Sequence, residues 1–187
     1  FTAWGSLFQA LHLKSGEHLL IRGATCALGY VAIQIAKAIG CMVTATTHKK
    51  EHLKDLEKLG VDKALLDNGS LKGKIGTPTK ALELVGPATL RDTMSALERG
   101  IVCNTGILGN KFTIEHFDPI KMIPNGVFLT GFFSNFPTQA AIDGIIHLLE
   151  ASGQKPLYSK VFPLEQIAEA HTLLEKGGAG GKIILSL

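Results

Sequence analysis

Short apolar and β-branched runs alternate with segments of helical periodicity along most of the chain. Such runs predict buried strands, and apolar residues recurring about every three or four positions predict amphipathic helices. The predicted strands are a first one that enters the turn at Gly23, followed by residues 41–46, 63–66, 82–85, 101–105 and 127–133. The predicted helices are residues 30–40, 51–59 and 88–97, with at most a short helix within 70–80. This alternation predicts an α/β fold, a doubly wound parallel sheet with helices on both faces.

The last third of the chain follows a different order. Residues 139–151 form an amphipathic helix whose apolar stripe contains Ile142, Ile145, Ile146 and Leu149. An extended segment follows at 158–164, then a helix at 165–176. A terminal strand at 182–187 comes after glycines 177, 178, 180 and 181. This strand needs a pairing partner, for which a segment preceding Phe1 is a candidate.

The composition is that of a globular protein. Of the 187 residues, 45% are hydrophobic and 19% are charged, which suits one domain with a substantial core. No apolar run reaches the ~18 residues of a membrane span. A net charge of +3 spread along the chain gives nucleic-acid binding little electrostatic support. Cys26, Cys41 and Cys103 form neither a disulfide framework nor a paired metal motif, so we expect a reducing, cytoplasmic environment.

The stretch from His18 to Gly29 carries the strongest functional signal. An apolar strand meets a turn of small residues, and a helical segment follows. This arrangement presents backbone N–H groups at a helix start to a pyrophosphate, as in Rossmann-type dinucleotide-binding sheets. Gly29 matches the last glycine of G-x-G-x-x-G, whereas Ala24 and Cys26 occupy the other two positions. The candidate pyrophosphate-binding residues are Thr25, Cys26, Ala27, Leu28 and Gly29. A turn of this kind that binds nothing is the alternative.

The end of the second predicted strand bears on the choice of cofactor. NAD sites place an Asp or Glu about 20 residues into the fold, where it accepts a hydrogen bond from the ribose 2′-hydroxyl. Here the chain offers no carboxylate before Glu51, and the candidate ribose-side residues are Thr46, Thr47, His48 and Lys49. Hydroxyl, imidazole and ammonium groups suit a 2′-phosphate, so we expect NADPH in preference to NADH. A solvated helix start without a ligand is the alternative.

Several segments, in this order and spacing, resemble the medium-chain dehydrogenase/reductase superfamily. The resemblance is to its quinone-oxidoreductase-like, zeta-crystallin-like branch of zinc-type alcohol dehydrogenase relatives, and it covers essentially the whole chain. Its markers are Thr2-Ala3-Trp4-Gly5, Leu20-Ile21-Arg22-Gly23 with Gly29, Leu59-Gly60-Val61-Asp62, Glu83-Leu84-Val85-Gly86, Thr105-Gly106, and residues 162–171 and 181–185. Family members place a catalytic domain before the first of these markers. We therefore expect a fragment, with a dinucleotide-binding domain at 1–150 and a segment at 151–187 that returns toward the catalytic domain.

The resemblance implies an NADPH-linked reductase that transfers hydride to a quinone, an enone or another activated carbonyl compound. In such enzymes the protein mostly orients the hydride donor and acceptor. By resemblance, the nicotinamide site is lined by Val85, Gly86, Thr105, Gly106, Ile107, Leu108, Gly131, Phe132 and Phe133. Plain core packing is the alternative for the two phenylalanines. Zinc ligands would precede Phe1, so the chain leaves zinc dependence open. Relatives also dimerise through the strand from Val127 to Phe133, which implies a homodimer.

Two positions depart from the family pattern on the adenosine side. Relatives often carry a tyrosine or histidine at the position of Asp67 and an arginine at the position of His48. A carboxylate beside a 2′-phosphate is repulsive unless it turns away or pairs with a lysine. Two other functions also stay open, a nucleotide-binding module without turnover and an enoyl-thioester reductase, which shares the cofactor domain.

The remaining histidines and one cysteine suggest weaker hypotheses. His48 and His52 have i, i+4 spacing but no third ligand, so we expect an exposed helix face and no metal site. His171 is expected to pack within an amphipathic helix. Cys26 lies where a helix N-terminus lowers a thiol pKa, but a small residue in a glycine-like position is the favoured interpretation.

Overall fold

The computed structural model describes residues 1–153, 157–176, 179 and 181–187. The chain divides into two compact units, Phe1–Gln154 and Lys155–Leu187. No helix in the described ranges is long and apolar enough to cross a membrane.

The first unit is built around a parallel sheet of six strands, which confirms the predicted α/β fold. The strands are β1 (His18–Arg22), β2 (Met42–Thr47), β3 (Lys63–Leu66), β4 (Lys80–Glu83), β5 (Gly100–Asn104) and β6 (Val127–Gly131). Their order is β3-β2-β1-β4-β5-β6, with every neighbouring pair parallel. The chain thus moves outward from β1 to β3 and then returns to β4 on the other side of β1. Ligands of such sheets bind at the carboxyl ends of the strands, where this reversal opens a crevice.

Helices connect these strands. They are α1 (Thr2–Trp4), a π-helix (Gly5–Ala10), α2 (Ala27–Ala38), a 3₁₀ turn (Lys50–His52), α3 (Leu53–Lys58), α4 (Leu90–Ala96), α5 (Pro119–Met122) and α6 (Gln139–Ser152). The ends of α6 show why it forms where it does. The Thr138 hydroxyl accepts a hydrogen bond from the Ala141 amide, and Gly153 takes a left-handed conformation with φ of 62° at the other end.

The core lies between the sheet and its helices. Leu20, Ala81 and Val102 project from the three central strands β1, β4 and β5 into one cluster. The cluster is covered by Leu90 and Met94 of α4 and by Leu97, which follows that helix. Each of these three residues is at least nine-tenths buried. The spacing of these three residues places them on one helical face.

Several element ends differ from the predictions by one to three residues. The fourth strand was predicted at 82–85 but is Lys80–Glu83, because the Glu83 carboxylate accepts hydrogen bonds from the amides of Val85 and Gly86 and the backbone turns there. The first long helix begins at Ala27 rather than Tyr30. The sixth strand ends at Gly131, before Phe132 and Phe133.

The second unit is a pair of parallel strands with one helix. It contains β7 (Tyr158–Pro163), a 3₁₀ turn (Leu164–Gln166), α7 (Ile167–Lys176) and β8 (Lys182–Ser186). The terminal strand therefore pairs with β7, with Phe162 opposite Leu185, rather than needing a partner that precedes Phe1. His171 is exposed on α7, so the expectation that it packs was wrong. The glycines predicted at 177, 178 and 180 lie outside the described residues.

Candidate functional site

A cleft of about 450 Å³ opens at the carboxyl ends of the strands on both sides of β1. It lies where the sheet order reverses, which is the expected ligand position for this architecture. Its lining comes from the loops that follow β1, β2, β3, β4 and β5. The lining residues are Gly23, Thr25, Cys26, Thr46, His48, Asp67, Gly69, Val85, Thr89, Leu108 and Gly109.

The turn between β1 and α2 forms one wall of the cleft and depends on two glycines. Gly23 has φ of 75°, and its amide donates to the Thr46 hydroxyl at 3.1 Å. A Cβ on Gly29 would lie 2.2 Å from the carbonyl oxygen of Ala24, so any larger residue forces the turn to move. The turn can therefore approach the start of α2 only because position 29 is glycine.

The start of α2 lies beside the cleft, because its cap residue Cys26 lines the cleft, whereas Ala27, Leu28 and Gly29 do not. Cys26 caps the helix, and its sulfur accepts a hydrogen bond from the Gly29 amide at 3.4 Å. Among the described residues, no acceptor binds the amides of Ala27 and Leu28. Unsatisfied amides at the positive end of a helix of this length attract an anion such as a phosphate.

The end of β2 divides the predicted ribose-side residues into two groups. Thr46 and Thr47 are fully buried, and their hydroxyls are used inside the protein. The Thr46 hydroxyl accepts from the Gly23 amide, whereas that of Thr47 bonds the Thr25 hydroxyl at 3.1 Å and accepts from the Lys49 amide at 3.2 Å. The threonines therefore shape the two turns of the cleft. The side chains of His48 and Lys49 are exposed, and His48 lines the cleft.

A fully buried arginine at the end of β1 holds Asp67. Arg22 Nε and Nη2 donate to the two carboxylate oxygens of Asp67, at 2.7 and 3.0 Å. Its Nη1 donates to the Asp92 carboxylate at 2.7 Å, the Thr93 hydroxyl at 3.0 Å and the Thr89 carbonyl at 3.2 Å. Burial is the largest influence and raises the pKa of Asp67, but the hydrogen bonds from Arg22, the Gly69 amide and the Thr46 hydroxyl, together with the charge of Arg22, hold that pKa below its ordinary value.

The same network reaches the end of β4. The Thr93 hydroxyl, which accepts from Arg22, donates to the fully buried carboxylate of Glu83. The other Glu83 oxygen accepts from the amides of Val85 and Gly86, at 2.8 and 3.1 Å. Burial raises the pKa of Glu83 although these hydrogen bonds act in the opposite direction. One buried network therefore fixes the loops after β1, β3 and β4, which all line the cleft.

Sequence reasoning missed this network. In the sequence, Arg22 and Glu83 indicate only family markers, although each is a charged residue within a predicted buried strand. A charge at such a position in a sheet covered on both faces is rarely buried without a partner. That pattern was the available signal. The partners Asp92 and Thr93 lie on α4 and give no signal of their own.

The predicted nicotinamide-side residues follow β4, β5 and β6. Val85 and Leu108 line the cleft. Gly86 and Gly106 lie where two loops touch, since a Cβ on Gly86 would be 2.6 Å from the Gly106 carbonyl oxygen. The Thr105 hydroxyl bonds the buried Ser6 hydroxyl at 2.9 Å, which ties β5 to the π-helix. Ile107 and Gly131 are exposed.

The two phenylalanines after β6 have different surroundings. Phe132 packs edge-on against Phe1, with ring centroids 5.6 Å apart. Its ring also occupies the space beside Gly5, where a Cβ would be 2.0 Å from the ring. These contacts of Phe132 are those expected if the residue packs against the protein itself instead of lining a nicotinamide site. Phe133 is 84% exposed.

The histidines considered as metal ligands are not part of a metal-binding group among the described residues. The described residues contain no group of three or more His, Cys, Asp or Glu side chains that could bind a metal ion. His52 instead bonds Asp55 at 3.0 Å, while His48 is exposed. The described part of the chain therefore does not supply a zinc ligand set.

Comparisons with known proteins agree with this architecture. A model of the zinc-binding dehydrogenase family matches residues 59–185. A quinone oxidoreductase from Pongo abelii is 28% identical over 199 residues, covering 100% of this chain and 60% of that protein. The corresponding human quinone oxidoreductase is 27% identical with the same coverage. The chain therefore spans about 60% of the length of these curated relatives.

Two solved structures illustrate the similarity of fold. The acetophenone reductase from Geotrichum candidum, solved in complex with NAD, has a TM-score of 0.79 at 23% identity and covers 100% of this chain and 52% of that one. The 2-octenoyl-CoA carboxylase reductase CinF, solved in complex with NADP and 2-octenoyl-CoA, has a TM-score of 0.81 at 22% identity. It covers 98% of this chain and 46% of that one.

Proposed function

The chain belongs to the zinc-binding dehydrogenase family, within the medium-chain dehydrogenase/reductase superfamily, and we propose that it binds a nicotinamide dinucleotide in the cleft. The observation that carries this proposal is the start of α2. The amides of Ala27 and Leu28 lie at the positive end of a helix of 12 residues that begins beside the cleft. A pyrophosphate is the part of the cofactor that such a helix start would hold.

The cleft fits this group in shape as well as in charge. Position 29 has no room for a Cβ, so the turn at Ala24 packs directly on the helix start. The buried hydroxyls of Thr46 and Thr47 stabilise this turn through hydrogen bonds to the Gly23 amide and the Thr25 hydroxyl. When bound, the nicotinamide would supply the hydride that the reaction transfers. The residues after β4 and β5, including Val85 and Leu108, would form the wall on that side.

NADPH is our proposed cofactor, in preference to NADH. No carboxylate follows β2 at the place where an NAD site carries one, and His48 faces the cleft from that position. The carboxylate of Asp67 does not oppose this preference, because Arg22 holds both of its oxygens. The departure from the family pattern at Asp67 is thus accommodated by an ion pair, made by an arginine rather than a lysine.

For the complete protein we propose hydride transfer to a quinone, an enone or another activated carbonyl compound. The curated relatives named as quinone oxidoreductases support this substrate class. The structural similarity to CinF, which was solved with an enoyl-CoA, favours an enoyl-thioester as the second candidate. NADPH oxidation by the complete protein, with a quinone or with an enoyl-CoA as acceptor, separates the two. Binding of NADPH with turnover of neither substrate would indicate a nucleotide-binding module.

A homodimer formed through β6 is a further part of the proposal. This strand is at one end of the sheet, and its residue Phe128 is 68% exposed. An apolar edge strand invites pairing with another chain. Sedimentation should therefore show a dimer, and a monomer at every working concentration would contradict it. The buried thiols of Cys41 and Cys103 suit a reducing compartment, which supports a cytoplasmic location.

Calorimetric titration of the chain with NADPH tests the cofactor proposal. Gly29→Ala should weaken binding by about tenfold or more, because the new Cβ displaces the turn that lines the cleft. Gly144→Ala is the matched control, since Gly144 also lies in a helix but the nearest contact of its Cβ would be the Trp4 side chain, at 3.2 Å. Equal binding by both variants, or no binding by the unaltered chain, would contradict the proposal.

A further inference from the structure

The cleft contains an acid at its adenosine end. Of the described residues that line it, Asp67 alone carries a carboxylate. Asp67 follows directly on β3, and its amide donates to the Thr47 carbonyl at the end of β2, at 2.7 Å. The carboxylate therefore lies beside the strand end at which dinucleotide sites distinguish the two ribose forms.

The Asp67 carboxylate is held on the protein side. One oxygen accepts from Arg22 Nε at 2.7 Å, and the other accepts from Arg22 Nη2 at 3.0 Å and from the Gly69 amide at 2.9 Å. The Asp67 side chain is 9% exposed, and that of Arg22 is fully buried. A bidentate ion pair of this kind fixes the orientation of the carboxylate and offsets its negative charge.

Building on the cofactor function proposed above, we propose that Arg22 is a positioning residue that sets the preference for a 2′-phosphorylated dinucleotide, by fixing and neutralising Asp67. Without this cation, the cleft would contain a carboxylate at its ribose end. A carboxylate there repels a 2′-phosphate and accepts a hydrogen bond from a 2′-hydroxyl. The same acid can thus oppose or tolerate NADPH, and Arg22 decides which.

Arginine is suited to this role because of its shape. Its planar fork binds both oxygens of Asp67 and still leaves Nη1 for Asp92 and Thr93. Asp92 offers an internal comparison. It binds the same guanidinium at 2.7 Å, but it does not line the cleft. A purely structural role of the network predicts similar effects from changes at Asp67 and Asp92, whereas the proposed role does not.

The test compares 2′,5′-ADP with 5′-AMP as probes of the adenosine end, by calorimetry on the unaltered chain and its variants. Asp67→Asn keeps the side-chain shape and removes the carboxylate from the cleft, while Arg22 keeps its ion pair with Asp92. Its affinity ratio should shift toward 2′,5′-ADP by about fivefold. Asp92→Asn is the matched control, and its ratio should change by less than about twofold.

Changes at Arg22 complete the test. Arg22→Met should shift the ratio toward 5′-AMP by about tenfold, and adding Asp67→Asn in that background should reverse most of the shift. Asp67→Asn decides the matter alone if Arg22→Met does not fold.

The outcomes separate the inference from the function on which it rests. An unchanged ratio in Asp67→Asn, or equal shifts in Asp67→Asn and Asp92→Asn, would overturn the role of Arg22 while leaving dinucleotide binding intact. Failure of the unaltered chain to bind either probe would overturn the cofactor function, and the inference with it.

Discussion

Replacing Thr93 with valine removes one hydroxyl from the buried network while keeping nearly the same side-chain shape. Thr93 is fully buried on α4. Its hydroxyl accepts from Arg22 Nη1 at 3.0 Å and donates to the Glu83 carboxylate. After Thr93→Val, one Glu83 oxygen keeps the amides of Val85 and Gly86, and the other is left buried without this donor.

The magnitude follows from the charge of the acceptor. A hydrogen bond to a charged group contributes about 1.5–3 kcal/mol, and the shape of valine adds little cavity cost. We expect Thr93→Val to lower the free energy of unfolding by about 2 kcal/mol at neutral pH. With a urea m-value of about 2 kcal/mol per molar, the midpoint of urea unfolding falls by about 1 M.

The loss should depend on pH because burial raises the pKa of Glu83 above its ordinary value of 4.5. An acid with a raised folded pKa favours folding most below its unfolded pKa, and this contribution disappears as the pH rises through the folded pKa. The Thr93 hydroxyl lowers the pKa of Glu83, so removing this hydroxyl raises the pKa further. The stabilising contribution of Glu83 is then lost at a higher pH than in the unaltered chain. Below 4.5, where Glu83 is protonated, the lost bond is to a neutral group and is worth about 1 kcal/mol.

Urea unfolding followed by circular dichroism at both pH values measures the effect. Thr172→Val is the control, because the Thr172 hydroxyl donates to the Ala168 carbonyl on the exposed face of α7. Its free energy of unfolding should change by less than about 0.5 kcal/mol. The reasoning is refuted if Thr93→Val destabilises no more than this control, or if its effect is the same at both pH values.

Two further substitutions test the packing of the cleft loops. Arg22→Met should lower the free energy of unfolding by about 3–5 kcal/mol, because it leaves buried carboxylates without their cation. Lys37→Met is the control, since it removes a solvent-accessible ion pair. In urea unfolding it should lower the free energy of unfolding by at most about 1 kcal/mol. Gly106→Ala should lower the melting temperature by several degrees, because its Cβ would lie 2.0 Å from the Leu84 carbonyl oxygen. Gly131→Ala, with its nearest contact at 3.5 Å, should melt within about two degrees of the unaltered chain, and equal melting of both glycine variants would contradict the packing argument.

The fold was predictable because its signals are local. Each of the six strands is short and contains apolar or β-branched residues, and Gly60 marks the turn before β3. A parallel sheet buried on both faces produces this pattern, so strand number and fold class follow from it. The turn before α2 was predictable for the same reason, since Gly29 stands three residues after the cap at Cys26.

The hydrogen-bond and ion-pair network of the cleft was not predictable, because its contacts join residues that are far apart in the chain. Arg22 and Asp67 are 45 residues apart, and Arg22 and Thr93 are 71 apart. No periodicity in the sequence indicates such pairs. The hydroxyls of Thr46 and Thr47 show the same limit, since only the register of β2 beside β1 and β3 makes them partners of the turns rather than of a ligand.

The most direct measurement of the central claim is the response of two backbone amides to a dinucleotide. In a ¹⁵N-labelled sample titrated with NADPH, the resonances of Ala27 and Leu28 should shift with saturation and rank among the largest changes in the spectrum. The amide of Gly153, at the far end of α6, should stay in place. If saturating NADPH leaves Ala27 and Leu28 unmoved, or moves only residues away from the cleft, the start of α2 does not hold a pyrophosphate and the account is wrong.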